Sequence, residues 1–306
     1  MVFNKQSILF SILNFLSFVP DGIMLRLQYF YKVHRWPNIK NHPRFTECML
    51  WYKLYYRNEE MLECTDKYKV RAYIKKRLGD GAERYLNKLY QVCNDAHEID
   101  FNSLPSQFVI KTTDGGNGNN VFLCKDKNNL NINEVIGLVN SWRNKHYERA
   151  SKEWAYKGAE SKIIVEQYLS MPENKDGSLD DFKFLCFNGV FKYLWIDKNR
   201  FSGHRRGFWN EKLEFLNGVR SDHPTFENPP KLPDNIKEMI NIAEELSQGF
   251  LFARVDLYNV QGEIYFGEIT FYPWGGYVKY TPDRFDYDLG KEFNNALKNC
   301  NKKYIQ

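Results

Sequence analysis

Apolar residues in the first hundred positions fall mostly at helical spacing; beyond a short connector they fall in strand-like runs. Phe45, Met49, Tyr52 and Tyr56 mark one helix. A second is expected from Asp66 to Leu78, with Thr65 as its N-cap and Gly79 just past its end. Ser103-Leu104-Pro105-Ser106 reads as the connector. Phe108-Val109-Ile110-Lys111 and Val121-Cys124 then read as a strand hairpin around a Gly-rich loop, residues 112–120. Ile132, Val135, Ile136, Val139 and Trp142 mark an amphipathic helix, and Ile163-Ile164-Val165 a buried strand ending in polar Glu166-Gln167. Two further hairpins are expected. Asn188-Gly189 joins Asp181–Cys186 to Val190–Ile196, and Gln261-Gly262 joins Phe252–Tyr258 to Glu263–Ile269. Helices at Ile236–Leu246 and around Leu289, Phe293 and Leu297 complete an antiparallel, mixed α+β pattern rather than an alternating βαβ one.

Composition narrows the class. With 306 residues, 43% of them hydrophobic and 16% aromatic, the chain can bury a sizeable core and is neither disordered nor fibrous. The net charge of +5 is mild and dispersed. It suits anionic small molecules and does not argue for a nucleic-acid partner. The six cysteines show no metal spacing and read as the reduced, structural thiols of a cytoplasmic protein. Residues 8–20 are apolar, but 13 residues are too few to span a bilayer. Phe18-Val19-Pro20-Asp21 is no signal cleavage site. We expect this segment to dock on the protein's own body, with weak contact at the inner face of a membrane as the other option.

Several chemistries are missing. There is no Walker A loop, and the Gly-rich loop lacks the third Gly of a dinucleotide fingerprint. Neither G-x-S-x-G nor H-E-x-x-H occurs, and no kinase motif set is present. Asp286-Tyr287-Asp288 matches a short glycosyltransferase signature, a weak signal in a chain with 38 acidic residues.

Four pieces carry chemistry. Lys111 precedes a loop whose Gly115, Gly116 and Gly118 let backbone N–H groups approach an anion, although an ordinary hairpin loop is the commoner meaning. Glu166-Gln167-Tyr168-Leu169 ends an apolar strand and suits an adenine, or simply begins a solvated loop. Arg254 and Asp256 share one strand face, as do Glu268 and Thr270, and the intervening turn brings Asp256 and Glu268 close to cross-strand positions. Two carboxylates so placed call for a cation, and oxygen-only ligands select Mg²⁺. Arg254 beside them would stabilise charge on a transferring phosphoryl group. Lys67 and Arg71 form a cationic helix face, a feature that is usually just solvated.

In order and spacing these pieces resemble the ATP-grasp superfamily, and within it the TupA-like branch found in bacterial surface-polysaccharide gene clusters. The likeness runs from about residue 40 to 295, through Thr65-Asp66-Lys67-Tyr68, Phe108–Lys111, Val165–Leu169, Asp181–Gly189, Arg254–Tyr258 and Phe266–Pro273. It implies a mostly helical region at 1–104, a small α+β subdomain at 105–165 and a large one at 166–306, the last two clasping ATP. It further implies Mg²⁺ and a carboxylate activated as an acyl phosphate, which an amine then converts to an amide. By position, Lys67 and Lys111 resemble the phosphate lysines, Glu166 to Leu169 the adenine hinge, and Asp256 and Glu268 the metal ligands. Arg254 resembles the arginine that steadies the acyl phosphate. Lys183, Arg71 and the run His204-Arg205-Arg206 would face an anionic substrate, a sugar acid that could be nucleotide-linked. Thr270 stands where the wider superfamily commonly has Asn, a departure the branch shares. A grasp-type sugar kinase, a glycosyltransferase of the same pathway and a non-catalytic sugar-binding module stay open as alternatives. The oligomeric state is open too.

Overall fold

The computed structural model describes residues 19–114, 120–142, 151–158, 160–171, 173–174 and 177–306. The expectations for Gly115, Gly116 and Gly118, and for most of the apolar segment 8–20, lie outside the described residues.

Turn chemistry explains the larger sheet. Asn188 and Gly189 adopt φ of 51° and 78°, and Gln261 and Gly262 adopt 54° and 91°. These positive φ values suit tight hairpins whose twist matches their strands. The first turn joins β5 (Asp181–Phe187) to β6 (Val190–Lys198), and the second joins β8 (Phe252–Val260) to β9 (Glu263–Thr270). With β7 (Arg205–Asn210) they form a five-stranded sheet in the order β7-β6-β5-β8-β9, every neighbouring pair antiparallel. A second antiparallel sheet has the order β1-β4-β2-β3, from β1 (Leu89–Cys93), β2 (Phe108–Thr112), β3 (Val121–Cys124) and β4 (Ile163–Gln167). Strand β1 falls on the N-terminal side of the boundary expected at residue 105, yet it pairs with β4.

The helices cover what the sheets leave apolar. They are α1 (Asp21–Val33), α2 (Phe45–Tyr55), α3 (Glu60–Thr65), α4 (Val70–Leu78), α5 (Ile132–Asn140), α6 (Ile236–Ser247) and α7 (Arg284–Lys298). Helix α5 presents Val135 and Val139 to the core of the four-stranded sheet. Helix α6 lies against the large sheet, where the Asn259 amide reaches the Met239 sulfur at 3.7 Å. Alternation along each strand therefore puts Val255, Leu257 and Asn259 under α6 and turns Arg254, Asp256 and Tyr258 to the opposite face. Helices α2 and α7 pack together, and Phe45 meets the rings of Phe187 and Phe252 at 6.0 and 5.0 Å. Among the described residues, no helix is long and apolar enough to cross a membrane.

One local expectation is corrected. The helix expected from Asp66 begins at Val70, and its entry is organised by Asp66 rather than Thr65. The Asp66 carboxylate accepts the backbone N–H groups of Tyr68 and Lys69, both at 2.8 Å. The Thr65 hydroxyl instead donates to the Ala155 carbonyl at 2.7 Å. Asp accepts several N–H bonds better than a hydroxyl can, which is why it takes the turn.

Candidate active site

Strand register brings the chemistry to one face of the large sheet. Trp195, Lys183, Asp256 and Glu268 lie directly across from one another on β6, β5, β8 and β9. One step along, Arg206, Asp197 and Asp181 form the neighbouring row on β7, β6 and β5, and Arg254 stands opposite Thr270. The cross-strand placement of Asp256 and Glu268 is the one expected from the hairpin.

Nearly every charge in these rows has a partner of the other sign. Arg254 donates from Nε and Nη2 to Asp256 at 2.6 and 2.7 Å, and from Nη2 to Glu268 at 2.6 Å and Thr270 at 3.0 Å. Its guanidinium also lies 4.9 Å from the Trp195 ring centre. Lys183 donates to Asp256 at 2.6 Å and lies 3.5 Å from Asp181, which Arg200 reaches at 2.6 Å. Arg206 grips both Asp197 oxygens at 2.5 and 3.1 Å and also bonds Asp222. His204 Nε2 pairs with Asp197 at 2.9 Å, and the His223 ring stacks on His204 at 3.7 Å.

Burial and partners set the ionisation. Burial pushes Asp256 up, and this outweighs the pull of Arg254 and Lys183. Burial acts the same way on Glu268, yet Arg254, Lys183 and Lys67 outweigh it and hold that carboxylate low. The contrast follows the partners: Glu268 itself adds to the rise of Asp256, whereas Lys67 and the Thr270 hydroxyl help to hold Glu268 down. Burial also raises Asp197, but His204 and Arg206 overcome it and keep it well below the usual carboxylate range.

Asp256, Glu268 and Thr270 offer hard oxygen donors of the kind Mg²⁺ prefers. Arg254 and Lys183 now neutralise the two carboxylates in the place a cation would take. Among the described residues no three His, Cys, Asp or Glu side chains form a metal cluster. A cation here would take two carboxylates and a hydroxyl from the protein and its other ligands from water or phosphate. That is the usual sharing for Mg²⁺, so the residues fit it.

A second charged group sits on the two central strands of the smaller sheet, β4 and β2. Glu166 is buried at the end of β4, where it accepts Lys111 Nζ at 3.0 Å and Arg71 Nη1 at 3.3 Å. Arg71 also donates to the Asn87 carbonyl at 2.8 Å. It thus joins the Lys111–Glu166 end and not the Arg206 group. Gln167 is tied through its carbonyl to Asn87 at 2.8 Å, and half-buried Tyr168 and Leu169 continue past the strand. Lys67, on the turn before α4, bonds through its backbone N–H to Thr113 at 3.1 Å. Burial pushes its ammonium down, Lys111 adds to this, and Glu268, Asp114 and Asp66 oppose it. Lys67 therefore feels charges from both sheets at once.

The run His204-Arg205-Arg206 divides. Successive residues on β7 face opposite ways, so Arg205 leaves the row, donating to the Thr225 carbonyl at 3.1 Å and pairing with Glu227 at 3.5 Å. Sequence reasoning missed Asp181, Asp197, Arg200, Trp195 and His223. Asp181 was within reach of the period-2 rule from Lys183, whereas Arg200 and His223 sit on loops and give no periodic signal. A surface cavity of about 590 Å³ opens elsewhere, lined by Pro43, Arg284, Tyr287, Asp288, Lys291 and Asn294. It holds none of the charged row.

The sequence profile of the TupA-like ATPgrasp family matches residues 47–294. No curated protein matches the chain. Similar solved structures include a D-alanine–D-alanine ligase from Bacillus anthracis, at 17% identity over 77% of this chain and 68% of that one, with a TM-score of 0.44. The D-alanine–D-alanine ligase from Helicobacter pylori is 15% identical over 87% and 70%, at 0.47. The D-alanyl-alanine synthetase A from Vibrio cholerae is 11% identical over 80% and 68%, at 0.49.

Proposed function

The chain belongs to the TupA-like ATP-grasp family, and from that premise we propose that it is an ATP-dependent carboxylate–amine ligase. The observation that carries this reading is the Asp256–Glu268 cross-strand pair, bridged by Arg254 and within the field of Lys67. A substrate carboxylate oxygen attacks the γ-phosphorus of ATP, and ADP leaves. The amine nitrogen then attacks the acyl carbon, inorganic phosphate departs, and the nitrogen gives up a proton as the amide forms.

In this reading Lys67 and Lys111 act as point charges on the phosphates, and the backbone N–H groups of Gly115, Gly116 and Gly118 are assigned to the same anion. Glu166 to Leu169 line the adenine, and the Glu166 carboxylate orients Lys111 and Arg71. Asp256, Glu268 and Thr270 hold Mg²⁺, which when bound neutralises charge on the phosphate oxygens. Arg254, beside these carboxylates, would stabilise negative charge on the acyl phosphate. Lys183, Arg206 and His204 receive the acid; Arg205 is left out, because its partners lie on the other side of β7.

We assign the acid to the uronic or related sugar acids of cell-surface polysaccharide, and the amine to an amino acid or similar small molecule. The enzyme would work in the cytoplasm, where ATP is supplied, with peripheral contact at the inner membrane face. Thermal melts with ATP, with and without Mg²⁺, test the core of the proposal. A ligand at ~100 times its Kd stabilises the native state by about 2.7 kcal/mol, a rise of a few degrees. We expect a Mg²⁺-dependent rise that Glu268→Ala lacks. No rise with ATP, or one that Glu268→Ala keeps, would overturn the site. Mass analysis of products then separates ligase from kinase, since a kinase leaves phosphate on the acceptor.

A further inference from the structure

Helix α1 is apolar on both sides. Its inner face buries Met24, Leu25, Tyr29 and Val33 against the protein. Its outer face carries Ile23, Leu27, Phe30 and Tyr31, at i, i+4, i+7 and i+8, each between 49% and 70% exposed. Trp36 extends this stripe beyond the helix, 58% exposed and 6.1 Å from the Phe30 ring. A helix on a protein surface normally turns polar residues outward, and a contiguous apolar patch marks an interaction site.

Charge selects the occupant. From residue 21 to 40 the only acidic side chain is Asp21, which Lys152 neutralises at 3.0 Å, against Arg26, Lys32, Arg35 and Lys40. Arg35 pairs with Asp283 and Lys32 lies over the Tyr277 ring; Arg26, which donates to the Gly22 carbonyl at 2.8 Å, and exposed Lys40 add positive charge to the same segment. Leu, Ile and Phe flanked by Tyr, Trp and basic residues is the pattern of a helix lying in the headgroup layer of an anionic bilayer.

We infer that the outer face of α1, with Trp36, is the surface by which this protein rests on an anionic lipid bilayer. The inference deepens the peripheral placement proposed above and rests on it, while being independent of the ligase chemistry. The test is flotation of the full chain with vesicles of phosphatidylcholine alone or mixed with phosphatidylglycerol. The native protein should float with the anionic vesicles, and the Leu27→Glu/Phe30→Glu double variant should lose about tenfold or more in partitioning. The native protein and the double variant should both keep the ATP-induced thermal shift, so a failed flotation and a failed nucleotide site read separately. Should the double variant melt early, Tyr31→Ser/Trp36→Ser, which adds no charge, takes its place. Three outcomes would sink the idea. They are a native protein that stays unbound, a variant that floats as well as the native, and a native dimer that the variant converts to monomer, which would make a second copy the occupant.

Discussion

Asp286 illustrates how far burial moves a carboxylate whose partners are mostly neutral. It accepts the Thr46 N–H at 3.0 Å and the Thr46 hydroxyl at 2.7 Å, clamping the start of α2 to the first turn of α7. Burial, against those two hydrogen bonds, lifts its pKa to about 6. The folded protein therefore holds a proton between about pH 4 and pH 6 that the unfolded chain has released. Its contribution is fully present below the unfolded value and is lost as pH rises through 6. Melts of Asp286→Asn beside the native protein should show the native losing up to about 3 kcal/mol relative to the variant across that window. A difference independent of pH would contradict this. The same residue shows why a short motif misleads: Asp286 turns inward to Thr46, while Asp288 pairs with Arg284 at 2.8 Å on the surface. Side-chain direction, invisible in Asp286-Tyr287-Asp288 as text, separates them.

At the scale of elements, close approach decides which glycines matter. Gly290 on α7 lies beneath the backbone of Pro43, Arg44 and Phe45, where an added Cβ would overlap the Pro43 carbonyl oxygen. Backbone cannot swing aside as a side-chain tip can. Gly290→Ala should therefore cost about 3 kcal/mol or more by forcing α7 away from the start of α2. Chemical denaturation would read this as a lowered midpoint, and a midpoint within error of the native would show that the helices have slack. Local chemistry made other elements legible in advance. The hairpins at Asn188-Gly189 and Gln261-Gly262 were readable because positive φ is a property of two residues. Strands β1 and β7 were not. The first is short, with little of its surface fully buried, and the second opens on two arginines, so neither shows an apolar run.

Across the whole molecule, Glu166 is the brace between the turn-and-helix around Arg71 and the strand that carries Lys111. Glu166→Gln would leave both cations short of a counter-charge. We expect the ligand-free protein to lose about 2 kcal/mol, since these pairs are only partly buried, and the thermal rise with ATP and Mg²⁺ to shrink. A lower melting point with an undiminished ATP rise would reduce Glu166 to a structural strut. The sequence by itself determined the class of fold, most of the strands and helices, and the residue types that meet at the site. Those follow from periodicity and turn chemistry, which act over a few neighbours. Only the tertiary structure decided which charges meet: Arg254 bridging Asp256 and Glu268, Arg206 gripping Asp197, and Arg205 turned away from both. Such pairings depend on strand register between segments far apart in the chain and on which side of a strand each residue faces once the sheet has formed.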